Sequence, residues 1–178
     1  MNTVKTGYVR PLDLRKGRVD LGFGAGGRAM AQLISELFLR AFANDWLARG
    51  DDGAVLPAPA AGERLVMATD AHVVSPLFFP GGDIGSLSVH GTVNDLAVMG
   101  ARPLYLAASF ILEEGYPLAE LARIVDSMAA AARAAGVVVV TGYRAEHLDW
   151  APDVVVVGNV MRRTYPAAGA MRQRGLPH

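Results

Sequence analysis

Three stretches of the chain repeat apolar residues at the spacing of a helix. The first follows a glycine-rich run, and its apolar stripe spans residues 30–38. The second is predicted over Ile84–Met99, because Asp83 suits an N-cap and Gly100 suits the residue after a helix. Pro117 opens the third, which ends at Gly136. The pattern therefore predicts three helices, with one buried face on the first and on the third.

Short apolar runs between these helices predict strands. Since helices and strands mix without strict alternation, the pattern indicates an α+β fold. No internal repeat is visible. The predicted strands are Ala54–Leu56, Leu65–Thr69, Leu104–Leu112, Val137–Thr141 and Val154–Val160.

Composition narrows the class of protein. With 178 residues, 52% of them hydrophobic, the chain suits one folded domain, or one domain with a tail, rather than a disordered protein. Balanced charge, 17 basic against 17 acidic residues, argues against a general nucleic-acid or membrane-surface binder. The absence of cysteine excludes disulfides and thiolate chemistry within the chain. No targeting or membrane segment is visible, so we expect a cytoplasmic protein.

Charge is unevenly distributed. Residues 21–142 carry twelve acidic and seven basic groups, and several of the acids stand beside glycines. Such a region suits a divalent cation, although a solvated acidic surface is an equally good interpretation.

The glycine run Gly22, Gly24, Gly26 and Gly27 precedes the first helix. Glycines allow the backbone to approach a phosphate, and a helix N-terminus offers free N–H groups. The run lacks a preceding hydrophobic strand and the Gly-Lys-Ser/Thr of a P-loop. Taken alone, a flexible loop explains it equally well.

Adjacent carboxylates in the Asp51-Asp52-Gly53 turn, and Asp70 after an apolar strand, are candidate cation ligands. Mg²⁺ is typically held by one or two carboxylates together with phosphate oxygens. An exposed turn is the simpler explanation of the pair, and helix N-capping or turn formation explains Asp70 equally well.

Asn94 and Asp95 occupy the interior of the second helix, where both residue types are unfavourable. Gly91 lowers its helix propensity further. We therefore interpret Asn94 and Asp95 as functional. His72 and His90 have no histidine at metal-binding spacing, and we interpret both as structural or surface residues.

The segment TDAHVVSPLFFPGGDIGSLSVHGTVNDLAVMGARPLYLAASFILEEGYPL resembles the hydrogenase expression/formation protein HypE family. Upstream GFGAGGRAMAQLISELFLRAF and downstream AAARAAGVVVVTG fit the same family, so the resemblance covers about residues 21–142. The combination of FFPGGDIG with GTVNDLAVMGARP separates it from aminoimidazole ribonucleotide synthetase, selenophosphate synthetase and thiamine-phosphate kinase.

The resemblance implies the N-terminal α+β domain of the aminoimidazole ribonucleotide synthetase-like fold, with a mixed sheet packed on helices and a homodimer formed through the sheet. It also implies [NiFe]-hydrogenase maturation, in which a carbamoylated C-terminal cysteine is dehydrated to thiocyanate with ATP, for cyanide ligand synthesis. The implied partners are the carbamoyltransferase HypF and the HypC–HypD scaffold, with no nucleic acid or membrane.

Carried over to this sequence, the resemblance implies a site for ATP and Mg²⁺. The glycines would contact the nucleotide phosphates, with Asp51 and Asn94 in support, and three aspartates would ligate the cation. The implied cofactor-binding residues are Gly24, Gly26, Gly27, Asp51 and Asn94, and the implied metal ligands are Asp52, Asp70 and Asp95.

The sequence departs from the family after Gly142. The family continues Thr-Gly-Asp-Thr-Lys, whereas Tyr143-Arg144-Ala145-Glu146 follow here. We therefore divide the chain into a basic leader (1–20), an ATP-binding and dimerisation domain (21–142) and an atypical tail (143–178), which a frameshift or truncation would explain. The C-terminal domain and its cysteine are not found, so no catalytic residue is assigned and it is open whether the chain is an enzyme. The alternatives are a non-catalytic nucleotide-binding and dimerisation fragment, or another ATP-using relative such as a small-molecule kinase.

Overall fold

The computed structural model describes residues 11–24, 27–146 and 154–163, with residues 143–146 and 154–163 described through their backbone alone. Helices and strands mix as expected for α+β. The elements are α1 (Leu21–Gly24), α2 (Gly27–Leu33), a π-helical turn (Ile34–Phe38), α3 (Leu39–Phe42), a 3₁₀ turn (Leu47–Arg49), β1 (Arg64–His72), β2 (Phe78–Phe79), β3 (Gly82–Asp83), α4 (Ile84–Val98), β4 (Tyr105–Leu112), α5 (Leu118–Ala135), β5 (Val138–Glu146) and β6 (Val154–Arg163).

The main sheet has the strand order β1-β6-β4-β5. β6 runs antiparallel to both of its neighbours, whereas β4 and β5 are parallel, so the sheet is mixed as expected. One row of the register crosses every strand, from Asp70 through Gly158 and Ala108 to Gly142. β6, which comes from the tail after residue 142, is therefore an internal strand.

One face of the sheet packs against α4 and α5. Along β4, buried residues from Leu106 to Leu112 alternate with half-buried ones, as expected when one face of a sheet covers a core. α5 contributes the opposite wall of the core through its apolar face, which the sequence pattern predicted. Arg123 of α5 lies over the Phe78 ring at 4.0 Å, so the FFPGG segment is attached to this layer.

The start of α4 matches its prediction closely. The Asp83 carboxylate accepts the Ser86 N–H at 3.0 Å, and the Ser86 hydroxyl accepts the Asp83 N–H at 3.1 Å. This reciprocal pair satisfies two N–H groups that the helix itself cannot. Gly100 follows the end of the helix with φ +66°.

Two features differ from the sequence prediction. Ala54–Leu56 forms no strand, because Pro57 and Pro59 interrupt the region and remove backbone donors that a ladder requires. The first predicted helix is longer and contains the π-helical turn, which a spacing of 3.6 residues does not reveal. Among the described helices, none combines the length and the apolar composition that crossing a bilayer requires.

Candidate functional site

One asparagine fixes the chain that leads to the acidic turn. Asn44 donates its side-chain amide to the carbonyls of Phe42 and Val139, at 2.7 and 2.8 Å. Its Oδ1 accepts the backbone N–H groups of Trp46 and Leu47, at 3.0 and 3.1 Å. Asn44 therefore ties the end of α3 to β5 and starts the 3₁₀ turn.

That 3₁₀ turn ends at Gly50, whose φ of +68° turns the backbone toward Asp51 and Asp52. Both aspartates are exposed, and both line a cavity of about 250 Å³. The other lining residues are Ile34, Leu39, Leu47, Gly50, Thr141 and Gly142. A π-helical turn beside a cavity is common at functional sites, and here Ile34 begins one. The cavity therefore combines an apolar wall with two carboxylates at its rim.

Thr141 and Gly142 close this cavity from β5. The Thr141 hydroxyl donates to the Asp52 carbonyl at 3.5 Å. At Gly142 an added Cβ would lie 1.7 Å from the Ala108 carbonyl oxygen, so the close approach of β5 to β4 requires glycine. In the sequence, the Thr-Gly pair marks only the point where the family resemblance ends. Its role in the cavity comes from pairing between distant strands, which spacing does not show.

The glycine-rich segment lies on the same side of the molecule, since α1 contacts β5. Gly24 ends α1 and Gly27 begins α2 with φ +75°. Open space surrounds the Cβ position of Gly27. Gly26 falls outside the described residues. The structure thus brings α1, which ends at Gly24, to the edge strand that also carries the acidic cavity, and Gly27 begins the helix that follows α1.

A second polar cluster lies at the opposite edge of the sheet. Asp70 of β1 is half-exposed, and both of its carboxylate oxygens are held. Oδ1 accepts the Ala71 N–H at 2.8 Å, and Oδ2 lies 3.1 Å from Nε2 of His72. His72 is buried, with 9% of its side chain exposed. Residues two apart in a strand lie on the same face, so the Asp-Ala-His sequence contains the signal that could have indicated this pairing.

Helix α4 covers this second cluster. A Cβ added at Gly91 would lie 2.3 Å from Nε2 of His72 and 3.5 Å from Oδ2 of Asp70. Asn94 and Asp95, which are exposed, follow three and four positions later and therefore lie on the same side of the helix as Gly91. The second cluster thus contains Asp70, His72 and Gly91, with Asn94 and Asp95 about one turn away.

The predicted site residues therefore fall into two groups. Asp51, Asp52 and Gly24 belong to the β5 edge, whereas Asp70, Asn94 and Asp95 belong to the β1 edge. Within the described ranges, no three acidic or histidine side chains converge as a metal site. Mg²⁺ does not require such a convergence when phosphate oxygens complete its shell. The half-exposed Asp70 carboxylate, with both oxygens oriented, has the donor chemistry that this cation takes.

Two comparisons with known protein sequences agree. The family model described as "AIR synthase related protein, N-terminal domain" matches residues 50–160. Carbamoyl dehydratase HypE of Cupriavidus necator is 72% identical over 140 residues, which cover 79% of this chain and 40% of that protein. The chain thus spans about two fifths of the length of the curated relative it matches.

Solved structures agree with the sequence comparison. A crystal structure of the hydrogenase maturation protein HypE in complex with ATP superimposes with a TM-score of 0.77 and 46% identity, covering 82% of this chain and 43% of that one. A HypE–HypF complex superimposes with a TM-score of 0.55 and 41% identity, over 75% of this chain and 43% of that one. The family-model match reaches residue 160, so it includes most of β6 as well as the region up to Gly142.

Proposed function

The chain belongs to the AIR synthase related protein family through its N-terminal domain, and from this premise we propose that it is the ATP-binding part of a HypE-type carbamoyl dehydratase in hydrogenase maturation. The observation that carries this proposal is the 72% identity to a carbamoyl dehydratase, together with superposition on a HypE structure that contains ATP. The cavity beside Asp51 and Asp52 and the cluster around Asp70 are the candidate positions for the nucleotide phosphates and their cation.

The proposed reaction is the ATP-driven dehydration of a thiocarboxamide. The amide oxygen is a poor leaving group until the γ-phosphoryl group of ATP is transferred to it, which releases ADP. Loss of that oxygen as inorganic phosphate, with two protons lost from the nitrogen, leaves a thiocyanate. This chain contains no cysteine, so the thiol that carries the carbamoyl group lies outside these 178 residues.

The chain's own residues supply binding and orientation in this proposal. Gly24, Gly26 and Gly27 approach the phosphates, because backbone N–H groups near a helix start attract anions. Asp52, Asp70 and Asp95 are the proposed ligands for magnesium, with Asp52 at the β5 edge and Asp70 and Asp95 at the β1 edge, and Asp51 and Asn94 support them. When bound, Mg²⁺ supplies neutralisation of the charge that develops during phosphoryl transfer.

The proposed partners follow from the same relatives. HypF is the proposed protein partner, since a HypE in complex with HypF superimposes on three quarters of this chain. A HypC–HypD scaffold, and a cytoplasmic location, remain predictions from the family resemblance. A homodimer formed through the open face of the sheet is supported by apolar side chains exposed on and just beyond β1, namely Leu65, Met67 and Val73.

The lack of cysteine also favours a second candidate, a nucleotide-binding and dimerisation fragment without catalysis. Both candidates require Mg²⁺-dependent ATP binding, but only the first adds ATP hydrolysis coupled to a carbamoylated thiol. Supplying a carbamoylated cysteine peptide in trans separates them: ADP release that depends on the peptide supports the dehydratase, and binding without turnover supports the fragment.

The central experiment is calorimetric titration of ATP with Mg²⁺ into Asp95→Ala and the unaltered chain. We expect Asp95→Ala to abolish Mg²⁺-dependent binding, because it removes a proposed ligand that is exposed about one turn from Gly91. Asp126→Ala is the matched control, since Asp126 is an exposed aspartate on α5 away from both clusters. Unchanged ATP affinity in Asp95→Ala would refute the site assignment.

A further inference from the structure

The pairing of Asp70 with His72 assigns a role to a buried histidine that the proposed reaction does not otherwise use. Burial of His72 beside a carboxylate leaves its two ring nitrogens in different environments. Nε2 faces Oδ2 of Asp70, whereas Nδ1 is buried and receives no hydrogen bond from the part of the chain that the structure describes. A buried N–H without an acceptor is more costly than a buried lone pair without a donor, so the geometry favours the tautomer that carries its proton on Nε2.

In that tautomer, Nε2 donates to Oδ2 while the Ala71 N–H donates to Oδ1. Both oxygens of the Asp70 carboxylate are therefore oriented from within the protein. The Asp70 side chain is nevertheless 41% exposed. A carboxylate fixed on its inner side and open on its outer side is preorganised for a ligand outside the sheet.

Gly91 makes this arrangement possible. Because a Cβ there would overlap Nε2 at 2.3 Å, any larger residue displaces the imidazole from Asp70. The contact explains why position 91 is glycine, although glycine is unfavourable in the interior of a helix.

We propose that His72 is a positioning residue. Its imidazole fills the space that Gly91 leaves free, and its Nε2–H orients the Asp70 carboxylate toward a divalent cation bound to nucleotide phosphates. The inference rests on the proposed nucleotide-binding function and adds to it a group that acts through Asp70 rather than on the ligand. Groups that orient the ligands of a metal typically change its affinity by about 10- to 100-fold when they are removed.

The test compares His72→Leu, which removes the donor, with His72→Gln, whose amide can replace Nε2–H. ATP affinity is measured by calorimetry with Mg²⁺ and again with EDTA. We expect His72→Leu to lose about 10-fold or more of the Mg²⁺-dependent affinity, with the EDTA affinity unchanged. His72→Gln restores most of the loss, and His90→Leu, an exposed histidine on α4, is the control without effect.

The proposal is overturned if His72→Leu binds ATP with Mg²⁺ as the unaltered chain does, if His72→Gln is as weak as His72→Leu, or if affinity falls equally in EDTA. The last result indicates a purely structural role. If the unaltered chain shows no Mg²⁺-dependent ATP binding, the proposed function itself fails. If Asp95→Ala abolishes binding while His72→Leu does not, the function stands and only the positioning role fails.

A measurement on the unaltered chain covers the case in which His72→Leu does not fold. Long-range ¹H–¹⁵N spectra of the histidine side chains report which ring nitrogens are protonated, and His72→Gln assigns the His72 signals. A proton on Nε2 that is perturbed on adding Mg²⁺ and ATP supports the proposal. A bare Nε2, or a signal that Mg²⁺ and ATP leave unchanged, overturns it.

Discussion

The close contact of β5 with β4 at Gly142 predicts a large and specific loss of stability in Gly142→Ala. Gly142 has φ +129°, a backbone conformation that costs an L-residue about 1–3 kcal/mol. The added Cβ would also meet three backbone atoms of Ala108, at 1.7, 2.6 and 2.7 Å. These atoms belong to the backbone and cannot rotate away as a side chain could, so β5 must separate from β4. Each ladder hydrogen bond that is lost costs about 1 kcal/mol. With two bonds lost, we expect the free energy of unfolding to fall by about 3–5 kcal/mol.

Two other glycines separate the contributions of conformation and contact. Gly136 has φ +69° with no atom near its Cβ position, so Gly136→Ala incurs only the left-handed penalty of about 1–2 kcal/mol. Gly53 has open space around it and no left-handed φ, so Gly53→Ala should be neutral or stabilise by up to about 1 kcal/mol. The expected order of stability is thus Gly53→Ala, then Gly136→Ala, then Gly142→Ala.

Urea denaturation followed by circular dichroism measures this series. At a slope of about 2 kcal/mol/M, a loss of about 4 kcal/mol lowers the midpoint by about 2 M. A total stability of about 5–15 kcal/mol leaves room to measure this loss. Equal midpoints for Gly142→Ala and Gly136→Ala would refute the reasoning, since the backbone contact would then contribute nothing.

Three further predictions follow from single contacts. Asp83→Ala removes one half of the α4 capping box and should lower stability by about 1 kcal/mol, or the melting temperature by about 2–4 °C; an unchanged melting curve contradicts the cap. Asn44→Asp turns a carboxylate oxygen toward two carbonyls that now accept hydrogen bonds, so it should destabilise the fold by more than Asn44→Ala, as measured by urea midpoints. Met67→Lys on the open sheet face should shift the proposed homodimer to monomer in analytical ultracentrifugation, whereas Val98→Lys, at an even more exposed apolar position on α4, should not; a dimer that persists in Met67→Lys excludes that face.

Local features of the fold could be predicted from the sequence because their causes lie within a few residues. The α4 cap depends on Asp83 and Ser86 alone, and the end of α5 depends on Gly136. The predicted strand Ala54–Leu56 does not form, because a strand needs a neighbouring strand to pair with, and the apolar pattern of one segment does not show whether a partner exists. That segment is instead held by a side chain, with Nε1 of Trp46 donating to the Val55 carbonyl at 3.2 Å.

Strand order could not be predicted in the same way. β6 lies between β1 and β4 although it is last in the chain, and this placement follows from pairing across more than forty residues. The candidate site depends on the same long-range pairing. Aspartates and glycines could be selected by residue type, but their division between two edges of the sheet, and the contact of Thr141 with Asp52, follow only from the strand order.

The strand order also constrains how the proposed ligands can share a cation. Asp70 and Gly142 stand at opposite ends of one register row, three strand spacings apart, or about 14 Å. Two oxygens bound to one Mg²⁺ at about 2.1 Å lie at most about 4.2 Å apart. Ala108 lies between them in the row and is fully buried, so a nucleotide cannot lie along this row between the sheet and the helices.

From this spacing we infer that Asp70 and the cavity that Asp52 shares with Gly142 bind different ions within one chain. Asp95 is different, because α4 carries it on the side of Gly91 that faces Asp70. The metal ligands that we propose thus divide into Asp70 with Asp95 at the β1 edge, and Asp52 with phosphate oxygens at the β5 edge. Each position needs oxygens from the nucleotide or from a second chain to complete a magnesium shell, which explains why carboxylates that do not converge can still be ligands.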